Sequence, residues 1–410
     1  MSGCASPRDG HEASRRRGWD VPADGYLRWV EIDHGALAHN VKALKRYIAP
    51  AQLWPVVKGR AYGHGTVEAA RTFLQAGADG LAVSALAEAE ELRAGGIAGK
   101  IFVMNPVVPW QAEAYVALGL TVSVADWEGA EALSRAAAAA PGEPVPVHVK
   151  VDTGLGRFGL LPDEVVPFVR RLHELPGLRV EGIFTHLASA DEEDKTFARV
   201  QLERFRRVLQ ALEACGLRPP LAHAANSPAT LALPESHFDL VRNGLAVYGL
   251  YPSPSCRRAA EEAGVELRPA LSLKARVVSV RRLAAGTPIG YGSTYRTPRE
   301  TTIITLPIGY SDGVTRLLSN KLQVLVHGQR RPVVGRICMN HCMVDAGDLP
   351  VQRGDVVTLL GRDETGAAVP AEEWAAMLGT ITYEVLCMVG TRNPRVHVYE
   401  NQQAGAVSAR

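Results

Sequence analysis

Long apolar runs are missing from this 410-residue chain: no stretch approaches the roughly 18 consecutive apolar residues that cross a bilayer, so a membrane span is not expected. An excess of charge of one sign is missing as well. Lys and Arg (45) nearly balance Asp and Glu (43), aromatics make up only 6%, and nothing marks the electrostatic footprint of a nucleic-acid binder. Six cysteines (Cys4, Cys215, Cys256, Cys338, Cys342, Cys387) are scattered without framework spacing, which argues against a disulfide scaffold and for reduced thiols in a cytoplasmic protein. The segment up to about Asp24 is rich in Ser, Gly, Arg and Pro, carries the cluster Arg15-Arg16-Arg17 and lacks the apolar centre of a signal peptide. It reads as a disordered tail. The expected ligand is a small molecule.

The length exceeds the roughly 250 to 300 residues at which one core stops growing, so two domains are expected. Ordered sequence begins with a strand at 27–32, then Asp33 as a helix cap and an amphipathic repeat at Leu37, Val41, Leu44 and Ile48. Short apolar strands are predicted at 53–57, 80–84, 100–104, 120–124, 145–151, 178–185, 221–225 and 238–241. Helices are predicted between them, at 86–94, 126–140, 163–174 and 195–215 among others. This alternation is the pattern of an α/β fold with a (β/α)₈ TIM-type barrel, with an open doubly wound sheet as the alternative. After Leu250 comes a linker with a helical insert, then β-branched runs broken by Gly, Pro and Asp, which predict a mainly antiparallel β domain with one helix at 371–378. The expected division is a tail at 1–25, a barrel at 26–265, a β domain at 266–402 and a second tail at 403–410.

In such a barrel the chemistry belongs at the C-terminal strand ends. The apolar run Trp54-Pro55-Val56-Val57 delivers Lys58 there and passes into the glycine-rich turn Gly59 to Gly65. Partial desolvation of such a lysine lowers its pKa and frees the amine to act as nucleophile, base or partner of an aldehyde cofactor. Other polar residues join it at the same rim: Lys150 and the loop Asp152 to Arg157 after strand five, His186 after six, Asn226 and Ser227 after seven, Arg242 to Gly244 after eight. Phosphate sites in barrels form from the last two of these loops. A phosphorylated, lysine-reactive aldehyde fits, and pyridoxal phosphate is that cofactor.

These residues, with the second-domain motifs Gly-Tyr291-Gly-Ser-Thr-Tyr295, Gly-Tyr310-x-Asp-Gly, Gly-Arg336-Ile-Cys338-Met339 and Tyr383-Glu384, resemble alanine racemase from about Leu27 to Tyr399. The resemblance implies an isomerase that interconverts L- and D-alanine by a two-base mechanism and supplies D-alanine for peptidoglycan. It implies that Lys58 carries the cofactor covalently and is the base on one face, with Tyr291 of a partner subunit on the other. Tyr62, Ser227, Gly244, Leu245 and Tyr383 are implied to hold the phosphate, Arg242 to face the pyridine nitrogen, and His186 and Asn226 to complete the cofactor's surroundings. Arg157 is implied to approach the cofactor phenolate and the substrate carboxylate, which Met339 also meets through its backbone. Lys150 matches a position that is often carbamylated in the family. A homodimer with shared sites follows from these roles.

A tyrosine base at neutral pH needs cations nearby, and His186 and Arg242 are the candidates. An arginine facing the ring nitrogen leaves that nitrogen unprotonated, which weakens the electron sink and discourages side reactions. Two positions depart from the family: Gly59-Arg60 stands where Ala-Asn is usual, and Asn340 where Asp is usual. They are expected to add a cation near the cofactor and remove an anion near the entrance. A racemase for serine or a broader amino-acid set, a decarboxylase of similar architecture, and a cofactor carrier without turnover are the competing readings. Cys338, His341 and Cys342 lack a fourth ligand in sequence, so no metal site is assigned. His64, Tyr295 and Tyr310 are read equally well as turn or packing residues.

Overall fold

In the computed structural model, which describes residues 25–399, the predicted alternation of strands and helices is present and closes on itself. Of the predicted tails at 1–25 and 403–410, all but Gly25 lies outside the described residues. Strand β1 (Arg28–Asp33) comes first and stands outside the barrel. β2 (Gln52–Leu53) begins the ring, followed by β3 (Leu81–Val83), β4 (Ile101–Pro106), β5 (Thr121–Val124), β6 (Val145–Lys150), β7 (Leu178–Phe184), β8 (Leu221–His223) and β9 (Leu240–Val241). β3 to β8 pair in sequence order, all parallel, and β2 pairs in parallel with β9. Backbone hydrogen bonds close the circle: Val57 N–H donates to Ala82 O at 2.8 Å, and Arg242 N–H donates to Ala225 O at 2.9 Å. The barrel reading therefore holds over the open sheet.

Apolar side chains fill this half from both directions. β5 is buried at every position, as a parallel strand covered on both faces must be. Helix α1 (His34–Ile48) is capped by Asp33, whose carboxylate accepts from Ala36 N–H at 2.9 Å, and buries the predicted stripe of Leu37, Val41, Leu44 and Ile48. The short helix α2 (Lys58–Tyr62) is followed by α3 (Thr66–Gln75), α4 (Leu86–Ala94), α5 (Ala112–Ala117), α6 (Trp127–Ala139), α7 (Val165–Leu172) and α8 (Thr196–Ala214). α9 (Ser227–Ala232) follows β8, and α10 (Pro254–Glu262) is the helical insert expected in the linker.

The second half is a large sheet of β10 (Leu271–Arg276), β11 (Ser279–Leu283), β14 (Thr301–Leu306), β15 (Gln323–Val326), β16 (Gln329–Val334), β17 (Cys342–Gly347), β18 (Val356–Arg362) and β20 (Arg395–Val398). The small hairpin β12 (Pro288–Ile289) and β13 (Tyr295–Arg296) projects from it, and β19 (Ala368–Val369) flanks β18. Two features were not legible in the pattern. β1, grouped by sequence with the barrel, is hydrogen-bonded antiparallel to β10 and parallel to β20, so the chain starts in the second sheet and returns to it. And after the predicted helix α11 (Ala371–Leu378) comes another, α12 (Thr382–Gly390), at the barrel mouth.

α12 meets α2 through two glycines. Gly63 has φ +88°, and a Cβ on it would fall 2.8 Å from both Gly390 Cα and Leu386 O; a Cβ on Gly390 would fall 2.5 Å from Gly63 Cα. Gly63→Ala is therefore expected to lose about 1–3 kcal/mol of stability from backbone strain, before any shift of the helix. Denaturant unfolding at fixed cofactor concentration checks this, and an unchanged midpoint would show that the two elements are free to move apart.

Candidate active site

Lys58 sits where β2 gives way to α2, and the backbone there is left-handed. Gly59 (φ 61°, ψ 43°), Arg60 (55°, 45°) and Ala61 (53°, 51°) share that conformation, and Tyr62 has φ 52°. Each non-glycine residue so held costs about 1–2 kcal/mol, a strain that persists only where the surroundings enforce it. Here Gly59 N–H donates to Glu88 Oε1 at 2.8 Å, and His64 Nδ1 lies 3.0 Å from Ala61 O and 3.1 Å from Tyr62 O. His64 thus stabilises the turn.

The turn opens on a cavity of about 820 Å³ at the C-terminal ends of the barrel strands. Lys58, Tyr62, Lys150, Arg157 and His186 line it, together with Asn226, Ser227, Arg242, Gly244, Leu245 and Tyr383. Each strand-end loop singled out from the sequence therefore sends at least one residue to one place, although Asp152 to Gly156 and Asn243 are not in the lining, and Tyr383 from α12 joins them. Four basic side chains, two of them arginines, face one lining carboxylate, Glu384, so the cavity favours an anionic occupant.

Burial, reinforced by Arg157, lowers the pKa of Lys58, against weaker opposition from Glu88 and Cys387. Lys150 is 1% exposed and donates to Val151 O at 2.7 Å. Burial first, then the Arg242 charge, brings its pKa down to about 7. Burial, with Arg242 and Arg157 next, holds His186 well below the usual imidazole range. That corrects one expectation: at neutral pH His186 is an uncharged hydrogen-bonding group, and cationic support for a tyrosine base is left to the arginines.

The loops after β8 and β9 form the far wall. Asn226 caps α9, its side chain accepting from Ala229 N–H at 3.1 Å, and Ser227 Oγ accepts from Ala246 N–H at 3.2 Å. The rings of Tyr62 and Tyr383 lie 6.0 Å apart, and burial raises the pKa of both, so they are phenols at neutral pH. Arg242 donates from Nη2 to Thr185 O at 2.8 Å. A second correction concerns Arg60, expected near the cofactor: its guanidinium donates to Thr391 O at 3.4 Å and is not part of the lining. Asn340 is turned onto Ser311 Oγ at 2.8 Å.

Tyr291 and Met339 are not brought to this cavity. Tyr291 is 67% exposed on the tip of the β12–β13 hairpin, in a separate surface groove with Cys338, and Met339 is 55% exposed. Tyr295 instead donates to Asp345 at 2.9 Å, a packing role. Among the described residues no cluster of three or more His, Cys, Asp and Glu is arranged for a metal. Sequence reasoning quoted Glu384 only within the Tyr383-Glu384 motif, without a role, and gave Cys387 no part in the site; both line the cavity. A helical period from Tyr383 to Cys387, four residues on, was the available signal.

Two family models match successive parts of the chain. The family model for the alanine racemase N-terminal domain matches residues 32–252, and that for the C-terminal domain matches 270–397. An alanine racemase from Desulforamulus reducens is 45% identical over 373 residues, covering 90% of this chain and 98% of the relative. One from Symbiobacterium thermophilum is 46% identical over 370 residues, covering 90% and 96%. Among solved structures, alanine racemase from D-cycloserine-producing Streptomyces lavendulae superposes with a TM-score of 0.84 at 40% identity, covering 92% of this chain and 98% of that one. The Bacillus anthracis alanine racemase with bound L-Ala-P gives 0.83 at 36% identity, covering 91% and 95%.

Proposed function

The chain belongs to the alanine racemase family, and we propose on that footing that it interconverts L- and D-alanine with pyridoxal phosphate, in a site completed by a second copy of itself. The observation that carries this reading is the convergence of Lys58, the three other basic side chains and the Ser227 and Gly244 loops on one cavity. The cofactor's phosphate fits a cradle that a side chain would fill: a Cβ on Gly244 would fall 2.3 Å from Tyr62 Oη. Ser227, Tyr62, Tyr383 and the backbone at Gly244 and Leu245 would hold the phosphate, with His186 and Asn226 beside the ring and Arg242 toward its nitrogen. When bound, pyridoxal phosphate supplies a conjugated, electron-withdrawing system that stabilises negative charge at the substrate's α-carbon.

The chain's own residues do the rest. Lys58 Nζ, eased toward its neutral form by burial, would hold the cofactor covalently at rest and would take or return the substrate's α-proton on one face. Tyr291 of the partner subunit serves the opposite face. Arg157, exposed at the cavity edge, binds the substrate carboxylate, and the partner's Met339 adds a backbone contact. Lys150, with its pKa near 7, keeps a neutral amine that can add to carbon dioxide with loss of a proton; the resulting carbamate anion would pair with Arg157. Arg242, a donor only, leaves the ring nitrogen without a proton. The product D-alanine suits peptidoglycan synthesis.

The exposure of Tyr291 and Met339, away from the Lys58 cavity of their own chain, supports a shared site, and a twofold dimer supplies two at once. Mixing inactive Lys58→Ala and Tyr291→Phe proteins under conditions of subunit exchange is expected to restore activity, because half of the hybrid's sites carry both intact residues. No recovery despite demonstrated exchange would remove the shared site.

A further inference from the structure

Arg242 is a buried cation, 3% exposed, and among the described residues no carboxylate pairs with it directly. The titratable groups around it are Lys150 and His148 on β6, His186 after β7 and His223 on β8, with Arg157 beyond them against Lys150 and His186. All are neutral or positive. Its negative end lies at the other end of the barrel. Nη1 of Arg242 donates to His223 Nδ1; His223 Nε2 lies 2.8 Å from His148 Nδ1; and His148 Nε2 lies 3.4 Å from Glu181 Oε2. Glu181 also receives Lys100 at 3.3 Å and Arg179 at 3.2 Å, both half-exposed.

The proton positions in this row follow from its ends. A guanidinium can only donate and a carboxylate can only accept, so both imidazoles must be neutral, each with its proton on Nε2 and its Nδ1 bare. Every donor then points from Arg242 toward Glu181. Burial holds both imidazoles below their usual pKa, consistent with neutral rings. The row is also fitted to its surroundings: a Cβ at Gly182 would fall 2.7 Å from the His148 ring, and Phe184 stacks on His223 with centroids 5.0 Å apart. Two surface cations would satisfy Glu181 without any of this.

We propose that Glu181 is a positioning residue for the active site, acting through His148 and His223 as the remote counter-ion that keeps Arg242 protonated and fixed in orientation. The proposal rests on the reading of Arg242 as the partner of the cofactor's ring. It gives the N-terminal end of the barrel, usually the stability end, a part in the chemistry at the other.

A carboxylate favours a nearby cation, so removing it lowers the pKa of Arg242, which burial already brings to about 9. The alkaline limb of kcat/KM is expected to move down by about one pH unit in Glu181→Gln, a charge effect at the scale of a partly screened pair, and by a smaller amount in His148→Phe, which breaks the row but keeps the carboxylate. Glu181→Asp should stay near the parent. Lys100→Ala/Arg179→Ala, which loses the surface pairs but keeps the row, should lower thermal stability without moving the limb. A second readout needs no turnover: in ¹⁵N-histidine-labelled holoenzyme, His148 and His223 should both show protonated Nε2 and bare Nδ1 at neutral pH. A proton on either Nδ1 would overturn the proposal. So would a folded Glu181→Gln or His148→Phe enzyme with the parent's alkaline limb.

Discussion

Lys58→Ala protein, folded and loaded with pyridoxal phosphate, is expected to lack the longer-wavelength visible band of amine-bound cofactor and to lose turnover by at least about 10⁴-fold, the combined loss of the nucleophile and of one general base. That band requires conjugation of the cofactor's ring with a protein amine, and Lys58 is placed for this at the strand-end turn. Its neighbours agree: burial and Arg157 both push its amine toward the uncharged form that attacks an aldehyde. Lys150, also buried in the cavity, is the other amine within the same lining, so borohydride reduction followed by peptide mapping distinguishes them. Covalently trapped cofactor in the variant would overturn the assignment.

Tyr291→Phe has a different signature because it removes a base from one face only. On the proposed two-base reading, Tyr291 serves the L-enantiomer and Lys58 the D-enantiomer. Loss of α-deuterium exchange from L-alanine in deuterated water is expected at about 10² to 10⁴-fold, the usual contribution of a general base, while exchange from D-alanine survives better. Racemisation in the two directions must still fall by one common factor in kcat/KM, since symmetry fixes the equilibrium between enantiomers at unity. Exchange lost equally from both enantiomers would mean that Tyr291 is not a face-specific base.

The barrel and its rim were legible because their signals are local. Each strand delivers its polar residue at a point set by where the apolar run ends, so Lys58, His186, Ser227 and Arg242 could be placed on one rim without knowing any contact. β1 shows the limit: its alternation identifies a strand, but its partners β10 and β20 lie some 240 to 370 positions away, and no local pattern says which sheet it joins. α12 was missed because TYEVLCMVG is short, nearly all apolar and ends in glycine, a composition equally suited to a buried strand. His186 was assigned the wrong charge because its type suggests a titrating group, whereas its burial among cations decides the matter. The row from Arg242 to Glu181 left a trace: His148, Glu181 and His223 each interrupt an apolar parallel strand, where a buried polar group needs a partner.

The direct test is to incubate the purified protein, saturated with pyridoxal phosphate, with L-alanine alone and to resolve the enantiomers over time. The account predicts D-alanine rising to an equal mixture, and the same mixture reached from D-alanine. Persistence of pure L-alanine with the cofactor bound at Lys58 would contradict it, and a panel that includes serine would then identify what the site turns over.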